Sequence, residues 1–254
     1  MAKSEQRGIQ SIDVGGKLLA TLLAKTAPMM LKDLSEQAGV ASAQAHAYLS
    51  SFKRLDLVVQ DQADGRYALG PLALHLGLSY MTSYAPLRAA REAVHKIEEA
   101  TGFMTLLIVW SNGAPTAIEV RPGRESLNVN VQPGSVFPVT GSSVGFIFAA
   151  FMPKTVIAPR REAELAGTQT RGGQWHVPPK DFAKRVADAK LCGFAFLAGQ
   201  PIFGINSLAA PVFTNDGEFV AAIMVLGNED SMDLACEGDL VKLIKTYTTG
   251  RTHG

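Results

Sequence analysis

The chain has very little thiol: Cys192 and Cys236 are its two cysteines in 254 residues. They lie far apart and without CxxC spacing, which excludes a disulfide scaffold and argues against a zinc site. A reducing compartment is the natural setting. The histidines, His46, His75, His95, His176 and His253, show no paired metal-ligand spacing. Neither a metal nor a cofactor is therefore expected. No apolar run approaches the roughly 20 residues of a membrane-spanning helix. The opening MAKSEQRGIQ is polar, unlike a secretory signal. These absences point to a cytoplasmic protein with no membrane partner. An excess of one charge is missing as well: the formal net charge is +1, so no long-range basic field announces a nucleic-acid binder. What remains, 47% hydrophobic and 19% charged residues, is an ordinary globular composition with material for one large domain or two smaller ones.

The N-terminal third carries a readable plan. A helix is expected from Ile9 to about Lys25, with Val14, Leu18 and Leu22 beside Leu19 and Leu23 on one face. Ser11 or Asp13 can cap its start, and Pro28 follows its end. Leu31, Leu34 and Ala38 repeat at helical spacing until Gly39 breaks the pattern. Ala45, Tyr48, Leu49 and Phe52 then fall at i, i+3, i+4, i+7 and share a face. Val58-Val59 reads as a short strand, and Asp64-Gly65 as a hairpin turn into Arg66-Tyr67-Ala68-Leu69. Helix, turn, helix and two-stranded wing make up a winged helix-turn-helix, a module that docks its second helix in the major groove of DNA. On that helix the face opposite the apolar stripe carries Ala43, Ala47, Ser50 and Arg54, flanked by Gln44 and His46, with Ser42 at its start. Glutamine bonds adenine bidentately, serine bonds several base edges, and alanine methyls meet the thymine methyl. Lys32, Lys53, Arg54 and the wing Arg66 have the reach for phosphates. Local cations are nearly balanced by acids, so affinity must come from their placement or from doubling in a dimer.

Pro71 opens a helix that is apolar nearly all round, through Leu72, Leu74, Leu76, Leu78, Tyr80 and Met81. It either packs on its own domain or pairs with its twin in a dimer. Beyond it, an amphipathic helix from Leu87 to Ala100 ends at Gly102. Strands are expected over 103–110, 115–120, 127–131, 194–197, 206–213 and 219–226, with turns at Asn112-Gly113 and at Asn215-Asp216-Gly217. Helices are expected over 144–152, 179–190 and 240–247, and a surface loop or ragged helix over 159–174. Hairpins mixed with helices, without a βαβ rhythm, indicate an α+β fold with an antiparallel sheet.

Gly141-x-Ser143-x-Gly145 matches the nucleophile-elbow pattern, with a helix-like run after it. A hydrolase also needs a later acid and histidine. His176 and His253 are the histidines that follow, in a polar loop and at the chain end. The alternative reading is a tight turn whose amides face a bound ligand at a helix start. Trp110, Trp175, Phe103, Phe146, Phe148 and Phe151 either line a pocket or fill the core.

The order and spacing of these pieces resemble the IclR family of bacterial transcriptional regulators. The N-terminal match runs from Ile9-Gln10-Ser11 through Leu34 and Gly39-Val40 to the wing. The later match rests on Pro133-Gly134-Ser135, Gly145, Gly193-Phe194, Gly204, Ala209-Ala210-Pro211-Val212 and Asp216-Gly217. The resemblance implies a winged helix-turn-helix over 1–70, a linker helix over 71–85 and a GAF-like effector-binding domain over 86–254. It further implies a homodimer or homotetramer whose hold on operator DNA depends on a small molecule, with no catalysis. The effector positions it points to are Gly141, Ser142, Ser143, Phe146, Leu197, Ala198, Ser207, Met224 and Leu226. Several of them depart from the family pattern in one direction. Phe146 replaces a lysine, Leu197 and Ala198 an acidic pair, and Met224 and Leu226 two serines; separately, Ser207 stands for a cysteine and, on the recognition helix, Ala47 for an arginine. The expected effector is accordingly aromatic or largely apolar. Two alternatives remain: a serine hydrolase using Ser143, and a winged-helix interaction module that never contacts DNA.

Overall fold

A computed structural model describes residues 8–25, 27–167 and 179–248. It divides into two compact units, Met1–Ser83 and Tyr84–Gly254.

In the first unit, helices α1 (Gln10–Ala24), α2 (Leu31–Ala38) and α3 (Ser42–Arg54) precede strands β1 (Val58–Gln60) and β2 (Tyr67–Leu69), and α4 (Pro71–Ser83) closes it. Leu18, Leu22, Leu34, Ala45, Leu49, Val58 and Tyr67 form its core. Leu23, expected on the buried face of α1, is 54% exposed because it lies round the helix from Leu18 and Leu22. Neither Ser11 nor Asp13 caps α1; Ile9 holds the N-cap position without a side-chain bond. The wing is not a two-residue hairpin. Gln60 pairs with Tyr67, leaving a six-residue loop over 61–66. Asp61 organises it by accepting from the Ala63 amide at 2.7 Å, and Gly65 alone in that loop takes a positive φ. Helix α4 buries none of its residues: Leu74, Leu76 and Leu78 are 62%, 56% and 49% exposed.

The second unit contains α5 (Ala85–Thr101), β3 (Met104–Ser111), β4 (Ala114–Arg121), α6 (Ser143–Phe151), α7 (Lys154–Leu165), α8 (Pro179–Cys192), β5 (Ala195–Leu197), β6 (Ile205–Phe213), β7 (Phe219–Asn228) and α9 (Asp239–Thr248). The five strands form one antiparallel sheet in the order β4-β3-β7-β6-β5. Asn112 and Gly113 both have positive φ, 50° and 74°, as the two-residue turn between paired Ser111 and Ala114 requires. Alternate residues of β7 enter two separate cores. Ala222, Met224 and Leu226 pack with α6 and α8, while Ala221, Ile223 and Val225 pack with α5 and α9. A sheet covered on both faces explains why β7 reads as a continuous apolar run instead of an alternating one.

One expected element differs and one open expectation is resolved. Residues 127–131 form no strand, although Leu127, Val129 and Val131 alternate inward onto the core. Period two marks extended chain on a surface, and no neighbouring strand offers these residues a ladder. Of the stretch over 159–174, left open between surface loop and ragged helix, the part to Leu165 is helix α7, which tolerates Pro159 in its interior. Residues 168–174, with Trp175 and His176, lie outside the described residues, as does His253.

Candidate functional site

The recognition elements are built from the α2–α3 turn outward. Gly39 takes left-handed φ 63°, ψ 37°, and the Val40 amide closes onto the Ser35 carbonyl at 2.9 Å. The Ser35 and Ser42 hydroxyls are 2.9 Å apart. Ser42, expected to face DNA, thus ties the start of α3 to buried Ser35. Lys32, Ala43, Gln44, His46, Ala47, Lys53 and Arg54 are exposed. The Ser50 hydroxyl folds back to donate to the His46 carbonyl at 2.8 Å, so Gln44 and His46 are the polar groups that project freely from the outer face. The cations are partly engaged. Lys53 Nζ donates to Gln60 Oε1 at 2.8 Å, Arg54 to Ser51 Oγ at 3.2 Å, and Arg66 pairs with Asp64 at 3.2 Å and bonds the Pro28 carbonyl. These contacts lie at the surface, where ion pairs are worth about 0–1 kcal/mol and yield readily to a phosphate.

In the second unit a cavity of ≈ 60 Å³ opens on the sheet face beneath α6. Its floor follows from strand register: Leu197 pairs with Ser207, and Ser207 with Leu226, so one residue from each of β5, β6 and β7 lies in a row. Met224 sits two residues along from Leu226 on the same face, and Ser142 contributes from the start of α6. Five of the nine expected effector residues therefore meet in one cavity. The other four do not. Phe146, one turn into α6, points at α8, edge-on to Phe182 at 6.0 Å and beneath the Arg185 guanidinium at 5.7 Å. Ala198 is exposed beyond the end of β5. Gly141 and Ser143 are buried beside the cavity without lining it. The rest of the wall comes from irregular segments that strand and helix periodicity did not flag: Val131 and Phe137 on one side, Gln200 to Ile202 on the other. Only the inward alternation of residues 127–131 hinted at the former.

The turn before α6 is held tightly. Ser142 is its N-cap: its hydroxyl accepts from the Gly145 amide at 2.9 Å and donates to the Pro138 carbonyl at 2.6 Å. Gly145 must be glycine, since any Cβ there would overlap the Pro138 and Val139 carbonyl oxygens. Buried Glu164 of α7, absent from the expected site, clamps the same turn. Its carboxylate accepts from the Val139 and Thr140 amides at 2.9 Å each, from the Thr140 hydroxyl at 2.8 Å and from Arg160 at 2.7 Å. The one sequence signal for it was the Arg160/Glu164 spacing of four. Ser143 is fully buried at the first position of α6, and its hydroxyl has no partner among the described residues. The preceding residue is ordinary extended chain, φ −132°, ψ 152°. A nucleophile elbow presents its serine on a strained, exposed turn, so the Gly-x-Ser-x-Gly match here encodes a helix cap and a close packing contact. Among the described residues no cluster of three or more metal-ligating side chains occurs, and no helix is long and apolar enough to cross a membrane.

A profile of the IclR helix-turn-helix domain matches residues 11–62, the span from α1 through the first wing strand. The glycerol operon regulatory protein of Streptomyces coelicolor is 25% identical over 235 residues, 92% of this chain and 90% of its own. Residues 11–62 thus match the IclR helix-turn-helix domain, and the chain is similar over most of its length to IclR-family regulators, the repressor IclR of Escherichia coli among them at 23% identity over 221 residues. The chain is a transcriptional regulator with a DNA-binding helix-turn-helix, and the relatives it matches are regulators, not enzymes. Two solved structures extend the likeness over nearly the whole chain. Pseudomonas aeruginosa HmgR superimposes with a TM-score of 0.58 at 29% identity, covering 94% of this chain and 95% of that one. An IclR homolog from Microbacterium hydrocarbonoxydans, solved in complex with 4-hydroxybenzoate, superimposes with a TM-score of 0.68 at 18% identity, covering 94% and 96%.

Proposed function

We propose that this IclR-family regulator acts in the cytoplasm as a homodimer or homotetramer and senses an aromatic or largely apolar small molecule through its second unit, with residues 1–70 reading operator DNA, 71–85 linking and 86–254 binding effector. The observation that carries the effector reading is the row Leu197–Ser207–Leu226 with Met224 beside it, a floor with one hydroxyl among apolar side chains. A small oxoacid buried there would shed its carboxylate hydration for few hydrogen bonds, at a cost of several kcal/mol. An aromatic ring gains about 25 cal/mol for each Å² of apolar surface removed from water. Ser207 and Gln200 line the cavity as polar anchors for a terminal carboxylate or hydroxyl. The bound 4-hydroxybenzoate of the Microbacterium homolog is a ligand of that class. At ≈ 60 Å³ the cavity is smaller than the roughly 150 Å³ that holds benzene in an engineered core. Binding must therefore displace part of the wall, and Val131 and Gln200 to Ile202 sit on chain that no ladder holds.

On the DNA side, Gln44 and His46 are assigned to base edges and Lys32, Lys53, Arg54 and Arg66 to phosphates, with Ala43 and Ala47 allowing close approach. The exposed leucines of α4 supply the dimer contact, which multiplies two modest half-site affinities. Calorimetry with benzoates and phenols against glyoxylate and pyruvate tests the effector class. Micromolar binding of an aromatic member with none of the oxoacids is expected, and the reverse refutes it. Selection from random DNA should enrich a two-fold symmetric site; no enrichment at moderate salt refutes the DNA assignment.

A further inference from the structure

The two cysteines of the chain converge. Cys192 is the last residue of α8, and Cys236 lies in the irregular segment between β7 and α9; both are exposed, and both line one cavity of ≈ 110 Å³. The cavity wraps the free edge of the sheet, where β5 has a partner on one side only. Its walls come from both layers: Phe146 belongs to the core under α6 and α8, and Phe194 to the core under α5 and α9. The two cysteines, 44 positions apart in sequence, thus reach one cavity from opposite helical layers. Neither is built into regular structure on all sides. Gly193 follows Cys192 with φ 73° and open space around its Cβ position, and the segment carrying Cys236 is held by local turns such as Gly238 N to the Ala235 carbonyl. A disulfide here needs a Cα separation of about 4.4–6.8 Å, and neither cysteine lies on a strand of the sheet.

We propose that Cys192 and Cys236 form a single thiol-pair modification site, oxidised by hydroperoxides to an intramolecular disulfide that ties α8 to the segment feeding α9 across the β5 edge. The chemistry balances. One thiolate attacks the hydroperoxide ROOH, gaining an oxygen as sulfenic acid and releasing ROH. The second thiol displaces water from that sulfur, and the S–S bond forms. Two thiols are oxidised by two electrons and one peroxide is reduced.

The test uses the full-length protein treated with a modest excess of hydrogen peroxide under non-denaturing conditions. Free thiols counted with a chromogenic disulfide should fall from two to none per chain, restored by dithiothreitol. Peptide mapping without reductant should return a linked Cys192–Cys236 peptide, with the chain still monomeric on a non-reducing denaturing gel. In C192S and in C236S the surviving cysteine should instead be trapped by dimedone as sulfenic acid. Separately oxidised cysteines with no linked peptide, an intermolecular link, or thiols that stay reduced would each overturn the proposal. None of these readouts depends on DNA or effector binding.

Discussion

Removing the Glu164 carboxylate should loosen the turn before α6, whose flanking residues Phe137 and Ser142 line the proposed effector cavity. In Glu164→Ala the Val139 and Thr140 amides, buried and 2.9 Å from the carboxylate oxygens, lose their acceptor, and Arg160 loses one of its partners, at 2.7 Å. A buried donor left unpaired costs about 1–3 kcal/mol, and breaking a buried charged pair typically costs about 3–5 kcal/mol in all. Glu164→Gln keeps one carbonyl acceptor but turns an NH₂ toward a donor, so about 2–3 kcal/mol is expected. Denaturant unfolding of the second unit's transition measures the loss, and hydrogen exchange locates it. Protection at the Val139 and Thr140 amides should fall while that of the β6–β7 ladder changes only with global stability. A loss under about 1 kcal/mol for the alanine variant, with exchange at those amides unchanged, refutes the clamp.

Three further outcomes follow from the same geometry. Gly145→Ala forces a Cβ onto the Pro138 and Val139 carbonyl oxygens; it should cost at least about 2 kcal/mol by backbone displacement and abolish effector binding, and a wild-type thermal midpoint would refute this. Burial alone would raise the Glu119 carboxyl, but the hydrogen bonds and charges of Arg91 at 2.6 Å and His95 at 2.7 Å outweigh it and hold it below its ordinary 4.5. With its folded value depressed, its contribution is present at neutral pH and lost as pH falls through that value; Glu119→Gln should cost about 1 kcal/mol at pH 7, after discounting for half-exposed partners, and a deficit that persists unchanged well below the carboxylate range refutes the assignment. Glu substitution of Leu74 and Leu78 should weaken the proposed α4 dimer contact by about 1.5–3 kcal/mol per buried leucine, read by sedimentation equilibrium, with oligomeric state unaffected as the refuting result.

Periodicity made α2 and α3 legible because each presents one apolar face to one core: Leu34, Ala45 and Leu49 are buried where their spacing puts them. The strands were legible for a different reason, since β6 and β7 are apolar on both faces and bounded by turn residues. Period two failed as a guide to pairing at Leu127 to Val131. It reports which side of an extended chain meets the core, while a strand also needs a neighbour within hydrogen-bonding reach. The Asp64-Gly65 turn failed because the Asp61 carboxylate offered the loop amides a competing acceptor.

The expected effector positions divide along the same physical line. Leu197, Ser207, Met224 and Leu226 sit on paired strands, where register alone determines which residues share a face. Phe146 sits on a helix, where a one-residue difference in phase turns a side chain by about 100°, enough to send it to α8 instead of the sheet. Replacing a lysine by phenylalanine at that position therefore does not add apolar surface to the cavity. It adds a ring to the α6–α8 contact, next to Arg185. The case for an apolar effector rests on the strands, and a substitution that restores hydroxyls there, such as Met224→Ser with Leu226→Ser, is the change that should move selectivity toward a small polar acid.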